Sequence, residues 1–372
     1  MHLLALDWRK AFDSINPSSL LQALRIFGIP DQFVDMIQSI YTDRCFRVSE
    51  CGVTSERHLQ QSGICQGCPL SPFLFVIVMT VLMDIARKDL SPLASAAIGE
   101  QQLFDILYAD DTIILGTSTC HVEEFAAAVG RAGLQFGMTL HWGKTQALSV
   151  CTDARLRGPQ GDLVDDTGSL VYLGGLLTAN GRPDSEISRK IGAAIGDFKN
   201  LSAFWSHAGL GRSRKLELFH ALVVSKLLYG LSTLWLTKAQ RRRLDGFYCR
   251  CLRRILRIPA AFVSRVSNKI VFERAGATPL SDQILHRQLL LLGKVVRAPE
   301  DSLLKQCVFS SGTLLPQIGQ FVRRVGRPRQ DWSTQVLKAG LERCGHARWQ
   351  ALLSYQGPDA EIVWKQELQK CF

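Results

Sequence analysis

Two adjacent acidic residues between two apolar segments restrict the fold of this chain more than any other feature. Residues 104–108 and 112–115 are rich in isoleucine, leucine and aromatic side chains, and Ala109, Asp110 and Asp111 join them. The pattern predicts a β-hairpin with both carboxylates at its tip. Neighbouring carboxylates are costly there unless water or cations neutralise them. Taken alone, residues 108–111 fit an ordinary polar turn and a cation site equally well.

A third acidic residue, Asp7, follows the apolar run 3–6, which predicts a short buried strand. A single acid at a strand end is usually structural. Two-metal phosphoryl transfer, however, requires carboxylates from separate strands that converge on two Mg²⁺ ions. Mg²⁺ prefers hard oxygen ligands and needs few protein groups. Asp7 and the hairpin acids together therefore suggest such a site.

A loop rich in glycine and proline, residues 63–72, precedes a strongly apolar predicted helix at 73–87. Glycine lets a backbone approach a ligand closely, and Gln66 offers a donor and an acceptor to a base or sugar. Without further context, an ordinary loop is the better interpretation. Cys65 and Cys68 form a C-x-x-C pair, but a structural zinc site needs two more ligands, so packing or turn roles are expected.

The composition favours a polyanionic partner. Lysine and arginine number 44 against 33 acidic residues, a formal net charge of +11. Such a balance suits nucleic acid, although it also suits an anionic membrane surface or a soluble basic protein. The longest apolar stretch, 73–83, is shorter than the roughly 20 residues of a membrane span. Residues 1–7 do not resemble a signal peptide, so the eleven cysteines are read as reduced intracellular thiols.

Strands and helices alternate up to about Asn180, where a domain boundary is expected. One helix should begin at Asn16-Pro17 and end at Gly28. Pro30 should open the next, with Phe33, Val34, Ile37 and Ile40 inward. The other elements expected in this part are two short strands within 46–59, the hairpin strands already named, a helix at 121–137, a strand at 145–150 and a tight hairpin at 171–177.

Long helices are expected after Gly181, at residues 183–206, 212–236 and 238–256. The last of these and its end carry a dense set of arginines: Arg241, Arg242, Arg243, Arg250, Arg253, Arg254 and Arg257. A solvated face is the ordinary interpretation, but a stripe this dense suits the phosphates of a duplex. From residue 299 the chain is rich in glycine, proline and arginine.

Five segments, in order, resemble motifs A to E of the reverse transcriptases of non-long-terminal-repeat (LINE-type, jockey-like) retrotransposons. They are LDWRKAFDSI (6–15), GICQGCPLSP (63–72), YADD (108–111), GLQFGMTLHWGKT (133–145) and YLGG (172–175). Later segments resemble the thumb and tail of the same elements: residues 228–230, Trp235, residues 250–256, residues 326–329 and Trp332.

This resemblance implies an α+β fold of the right-hand polymerase type. We expect an antiparallel palm sheet with helices at 1–178, an all-helical thumb at 179–298 and a basic C-terminal tail region at 299–372. The implied function is RNA-directed DNA polymerase, with an RNA template, a DNA primer and deoxynucleoside triphosphates as partners, and no membrane. Two Mg²⁺ ions are implied as cofactors, with Mn²⁺ as a substitute. An intracellular protein is expected, in the nucleus and cytoplasm if the element is active.

Roles follow for individual residues by the same resemblance. Asp7, Asp110 and Asp111 would bind metal, and Lys144 would give a proton to pyrophosphate, although a solvated lysine is its ordinary alternative. Substrate-binding roles fall to four further residues: Phe12 beneath the incoming sugar, Gln66 and Gly67 at the nascent base pair, and Tyr108. Arg250, Arg253 and Arg254 would bind nucleic acid.

Two departures from the family pattern bear on these expectations. His141 stands where motif D usually has asparagine, so the local turn is expected to differ. Motif A begins at residue 7, so the fingers are expected to be mostly absent. We therefore expect this chain, made alone, to bind nucleic acid and to polymerise poorly.

Other functions stay open. A group II intron maturase should carry an RNA-binding domain after the thumb, which is not visible here. An RNA polymerase that copies RNA would be at odds with Phe12, which should clash with a ribose 2′-hydroxyl. A non-catalytic nucleic-acid-binding remnant is the alternative from another class, and the three intact acids argue against it.

Overall fold

The computed structural model describes residues 1–206, 209–317 and 331–372. These form two compact units, Met1–Gly181 and Arg182–Phe372. The first is a mixed helix and sheet unit and the second is helical, so the predicted α+β class is confirmed. Across the described residues, no helix combines the length and apolar character needed to cross a bilayer.

Strands in the first unit are β1 (His2–Leu6), β2 (Cys45–Phe46), β3 (Ser49–Glu50), β4 (Val53–Thr54), β5 (His58–Leu59), β6 (Leu103–Tyr108), β7 (Asp111–Gly116), β8 (Gln146–Ser149), β9 (Asp165–Asp166), β10 (Ser169–Tyr172) and β11 (Gly175–Thr178). Its α-helices are α1 (Ala11–Ser14), α2 (Pro17–Phe27), α3 (Asp31–Tyr41), α4 (Ser71–Lys88), α5 (Pro92–Gly99) and α6 (Thr119–Gln135).

The central sheet has the order β6-β7-β1-β8-β9, antiparallel throughout except between β8 and β9. Side chains of β1 alternate between its faces, as expected of a strand. Leu4 and Leu6 join the helical side, where α4 and α6 supply the core. Leu3 joins the other face, where the β10–β11 hairpin contributes Leu170. The sheet is therefore covered by helices on one face and by this hairpin on the other.

Local signals set the ends of α2 as predicted. The Asn16 side chain accepts a hydrogen bond from the backbone N–H of Ser18, and Gly28 ends the helix at a φ of +94°. Helix α3 corrects the expected packing. Val34 and Ile37 are buried, but Phe33 and Ile40 are 56% and 49% exposed. Ile37 lies one turn from both Phe33 and Ile40, so these two side chains flank the buried stripe on the side away from Val34.

Residues 45–59 form four two-residue strands instead of the two strands expected. They pair in two short ladders, β2 with β5 and β3 with β4. Between the ladders, the backbone N–H of Val48 donates to the Ser55 hydroxyl at 3.0 Å, so a side chain takes a bond that a continuous ladder would give to the backbone. The segment is therefore a hairpin interrupted between its two ladders.

Helices in the second unit are α7 (Asp184–Asn200), α8 (Ser202–Ser206), α9 (Arg212–Phe219), α10 (Ser225–Leu228), α11 (Lys238–Leu256), α12 (Ala261–Ser264), α13 (Asn268–Ala275), α14 (Leu280–Arg297), α15 (Leu303–Val308), α16 (Trp332–Cys344), α17 (His346–Ser354) and α18 (Ala360–Gln369). The predicted helix at 212–236 is shorter and irregular. A π-helical turn, His220–Val224, joins α9 to α10, and Gly230, at a φ of +73°, follows the end of α10.

The segment predicted as a tail forms part of the second unit's core. Helix α14 contributes Leu289 and Leu292 to a cluster that includes Trp349 of α17 and Trp364 of α18. A Cβ added at Gly293 would lie 2.4 Å from the Trp364 ring, so glycine permits this close contact. The resemblance at residues 326–329 lies outside the described residues, while Trp332 begins α16.

Candidate active site

The register of two neighbouring strands places Asp7 beside the hairpin acids. Leu6 of β1 pairs with Thr112 of β7, so Asp7 and Asp111 occupy the next positions at the same edge. Tyr108 pairs with Asp111 to close the β6–β7 hairpin, which leaves Ala109 and Asp110 at its tip. Ala109 has a φ of +54°, a left-handed value that is strained for a residue with a Cβ. The structure therefore brings the three predicted acids together.

The charges at this edge affect one another. The pKa of the Asp111 carboxyl is raised, first by partial burial and then by the negative charges of Asp110 and Asp7. Like charges disfavour ionisation, and a cation would reverse that effect. The edge therefore has a negative potential suited to a bound cation.

The donor set fits Mg²⁺. All three side chains offer hard carboxylate oxygens, and Mg²⁺ commonly takes only one or two protein carboxylates while water and substrate phosphates complete its shell. Within residues 1–206, 209–317 and 331–372, no three His, Cys, Asp or Glu side chains converge as a preformed cage.

Backbone contacts fix Asp7 and connect it to Lys144. Trp8 forms an antiparallel bridge with Leu140, and the backbone N–H of His141 donates to the Asp7 carbonyl at 2.7 Å. The backbone N–H of Lys144 in turn donates to the His141 carbonyl at 2.8 Å within the 3₁₀ turn Trp142–Lys144. Lys144 is exposed. A single turn thus links the predicted proton donor to the strand that carries Asp7.

The loop at 63–72 is docked against the segment that follows Asp7. The backbone N–H groups of Gly63 and Ile64 donate to the carbonyls of Ile15 and Phe12, both at 2.7 Å. Gly63 has a φ of +90°, and an added Cβ would lie 2.8 Å from the Asp13 Cα. Glycine is therefore required at this position by close backbone packing.

Three predicted substrate residues lie along this junction. The Phe12 ring is half-buried and stacks on Phe75, with centroids 4.3 Å apart. The Gln66 amide donates to an Asp13 carboxylate oxygen at 3.0 Å. Gly67, at a φ of +90°, has open space where a Cβ would lie. The Gln66–Asp13 bond is a contact that motif spacing did not reveal.

Two tyrosines flank the hairpin acids. Tyr108 is 64% exposed on β6. The Tyr172 hydroxyl donates to the Ile106 carbonyl at 3.5 Å, and its pKa is raised first by burial and then by the charge of Asp111. The sequence marks Tyr172 only as the first residue of the motif E segment, and the structure places it beside the acids. The Gly-Gly pair of the YLGG segment predicts the tight turn that follows Tyr172, and Leu173 and Gly174 adopt φ values of +46° and +74° there.

The three predicted nucleic-acid-binding arginines of α11 differ in their surroundings. Arg250 and Arg254 are exposed. Arg253 is 6% exposed, and its guanidinium donates to the carbonyls of Pro259 and Val266 at 3.1 and 2.6 Å. It also donates to Ser264 Oγ at 3.3 Å and to Asn268 Oδ1 at 3.2 Å. Arg253 therefore serves the fold, and its assignment to phosphate binding is corrected.

Part of this chain matches a known protein family, and the chain is similar to proteins of two mobile elements. Residues 1–177 match the family described as reverse transcriptase (RNA-dependent DNA polymerase). A Pol polyprotein of the type-1 retrotransposable element R2 from Popillia japonica is 28% identical over 262 residues, which cover 69% of this chain and 43% of the relative. The RNA-directed DNA polymerase from mobile element jockey of Drosophila funebris is 27% identical over 184 residues, or 46% of this chain and 19% of the relative.

Among solved structures, a Candida tropicalis telomerase with the TWJ fragment of telomeric RNA has a TM-score of 0.41 and 12% identity, covering 79% of this chain and 46% of that one. The chain spans less than half the length of each of these proteins. Residues 1–177, a little under half of the chain, therefore match the reverse transcriptase family, and the chain is similar to proteins of the R2 and jockey elements, which agrees with the LINE-type resemblance of its motifs.

Proposed function

We propose that this chain catalyses RNA-templated DNA synthesis by adding deoxynucleotides to a primer 3′ end. One observation carries the proposal: β1 and β7 pair so that Asp7 and Asp111 sit at one edge, with Asp110 at the adjoining hairpin tip. The raised pKa of Asp111 supports a shared negative site. Carboxylates from separate strands are the arrangement that two-metal nucleotidyl transfer uses.

The proposed reaction joins the primer 3′-oxygen to the α-phosphorus of a deoxynucleoside triphosphate. The bond from that phosphorus to the bridging oxygen breaks, pyrophosphate leaves, and the hydroxyl proton passes to solvent water. Two bound Mg²⁺ ions, or Mn²⁺ in their place, would neutralise the charge that develops on these oxygens. Asp7, Asp110 and Asp111 would hold the ions. Lys144, exposed on its turn, would protonate the departing pyrophosphate.

The substrate roles follow from the junction between the motif A segment and the 63–72 loop. Phe12, backed by Phe75, presents a fixed ring that would lie beneath the incoming sugar. Gln66 and the unobstructed backbone at Gly67 would face the nascent base pair. Tyr108, exposed beside Asp111, would contact the primer end or nucleotide. In the second unit, Arg250 and Arg254 would contact the phosphates of the RNA template and DNA primer.

Single-turnover primer extension tests the proposal, because excess protein detects even slow addition. An RNA template paired with a DNA primer is incubated with Mg²⁺ and one deoxynucleotide at a time. We expect addition only of the nucleotide complementary to the template, and none when a chelator removes the metal. Tight binding of the template–primer without any addition would instead support a non-catalytic binding protein.

Replacing Phe12 with Ala should admit ribonucleotides by opening space at the 2′ position. The ratio of ribonucleotide to deoxynucleotide incorporation should rise about 10- to 100-fold, the range for steric discrimination in a pocket. Phe73→Ala is the matched control, since Phe73 is 69% exposed on α4. An unchanged ratio in the Phe12 variant would make Phe12 only a packing residue for Phe75.

Replacing both Arg250 and Arg254 with Ala should reduce the salt dependence of duplex binding. The slope of log affinity against log salt should fall by about 0.9 for each lost phosphate contact. A control with the same change in net charge replaces Lys338 and Lys365, each ion-paired within its own helix. If both double variants gave the same slope as the original chain, the two arginines would be ordinary solvated residues.

A further inference from the structure

The loop between α11 and α13 displays an aromatic ring that the proposed reaction does not use. Phe262 of α12 is 84% exposed, the highest value of any large hydrophobic side chain in the described residues. Its neighbour Val263 is 62% exposed. A single exposed apolar side chain is common on protein surfaces. A function for this ring must therefore be argued from the residues around it.

This loop is held in place by the buried Arg253. The guanidinium donates to Pro259 and Ser264 on the two sides of Phe262 and to Val266 and Asn268 beyond it. The Ser264 hydroxyl also donates to the carbonyls of Pro259 and Ala260, at 3.1 and 3.2 Å. A ring on a tied loop loses little conformational entropy when a ligand covers it.

All the charged residues near Phe262 in the sequence are basic. No acidic residue occurs between Asp245 and Glu273. The exposed cations of this stretch are Arg250, Arg254, Arg257, Arg265 and Lys269. Arg257 and Arg265 have φ values of +56° and +55° and end α11 and α12, so the chain turns sharply at each of them.

We propose that Phe262 is a stacking platform for an unpaired base of single-stranded nucleic acid. Arg257, Arg265 and Lys269 would contact the adjacent phosphates. An exposed aromatic ring among cations is the combination that binds single strands, because every base has a π-face and every nucleotide a negative charge. The identity of the ligand rests on the proposed function, but the binding itself requires no polymerisation.

A short single-stranded RNA and its DNA equivalent, each with 2-aminopurine at one position, serve as probes. Binding to the full chain is followed by anisotropy, and stacking by quenching of the 2-aminopurine fluorescence. We expect Phe262→Ala to lower affinity about 5- to 150-fold, the range for one base–aromatic stack, and to abolish the quenching. Because Phe262 is exposed, this variant should keep its fold.

Three comparisons make the test specific. Phe262→Leu keeps an apolar side chain but loses the π-face, so it should behave as Phe262→Ala does. Ile362→Ala, at a residue that is 58% exposed on α18, should bind as the original chain does. Arg265→Ala should lower the salt slope by about 0.7, whereas Phe262→Ala should leave it unchanged.

The results that would contradict the stacking proposal differ from those that would contradict the proposed function. If the original chain binds the probes and Phe262→Ala binds them equally, the stacking platform is wrong while the proposed function stands. Full affinity in Phe262→Leu would also overturn stacking and would indicate an apolar contact with protein. If the original chain binds neither probe nor a template–primer duplex, both this inference and the proposed function fail.

Discussion

Replacing Asp110 with Asn is expected to reduce nucleotide addition by at least about a hundredfold. Metal ions contribute several kcal/mol of charge stabilisation in such reactions, and about 2.7 kcal/mol corresponds to a hundredfold in rate. The substitution keeps the shape of the side chain but removes one of three charges at the β1–β7 edge. Single-turnover extension measures the effect. Asp35→Asn on α3, an exposed acid outside the site, is the matched control.

A second readout separates loss of metal from loss of fold. Binding of Mn²⁺, followed by electron paramagnetic resonance, should weaken in the Asp110 variant and not in the control. The far-ultraviolet circular dichroism spectrum should match that of the original chain. Extension and Mn²⁺ binding at the original levels in the Asp110 variant would exclude this residue as a metal ligand.

The Asp110→Asn variant should also change how the stability of the metal-free protein depends on pH. The folded-state pKa of Asp111 lies above its ordinary value. Its contribution to stability is therefore present at low pH and lost as pH rises through the raised pKa. Since Asp110 is one cause of the shift, Asp110→Asn should make this loss smaller. Thermal melts in chelator, from well below the ordinary aspartate pKa of about 3.9 up to neutral pH, measure this loss of stability.

The hairpin and strand that carry the acids could be predicted because their signals are local. An apolar run that ends in Asp7, and two further apolar runs separated by a short acidic turn, indicate strands through their short length and polar boundaries. The contacts between distant segments could not be predicted in this way. Gln66 and Asp13 are 53 residues apart, and nothing in either segment specifies that their side chains meet.

Burial on helices was less predictable than the helices themselves. The apolar residues of α3 form a stripe wider than the surface that packing covers, so Val34 and Ile37 are buried while Phe33 and Ile40 at the edge of the stripe stay exposed. Arginine density on α11 indicated an exposed stripe, but Arg253 lies on the face of Cys249 and Leu256, both buried. Its burial depends on residues 259–268 folding back over the helix end, which a helical repeat does not reveal.

Replacing Arg253 with Leu is accordingly expected to destabilise the second unit by about 3–5 kcal/mol. Hydrogen bonds to a charged donor contribute about 1.5–3 kcal/mol each and are not additive. Leu fills similar space but leaves the carbonyls of Pro259 and Val266, the Ser264 hydroxyl and Asn268 without this donor. Arg254→Leu, one residue along and exposed, should change stability by less than about 0.5 kcal/mol.

Urea unfolding followed by tryptophan fluorescence measures this difference. Most of the tryptophans belong to the second unit: Trp205, Trp235, Trp332, Trp349 and Trp364. Arg253→Lys adds a graded test, because one ammonium keeps the charge but cannot reproduce the planar set of donors that reaches four acceptors. Its stability should fall between those of the original chain and Arg253→Leu. Equal unfolding midpoints for the Arg253 and Arg254 variants would show that the loop bonds contribute no net stability, and Phe262 would then lack the rigid support on which its proposed role depends.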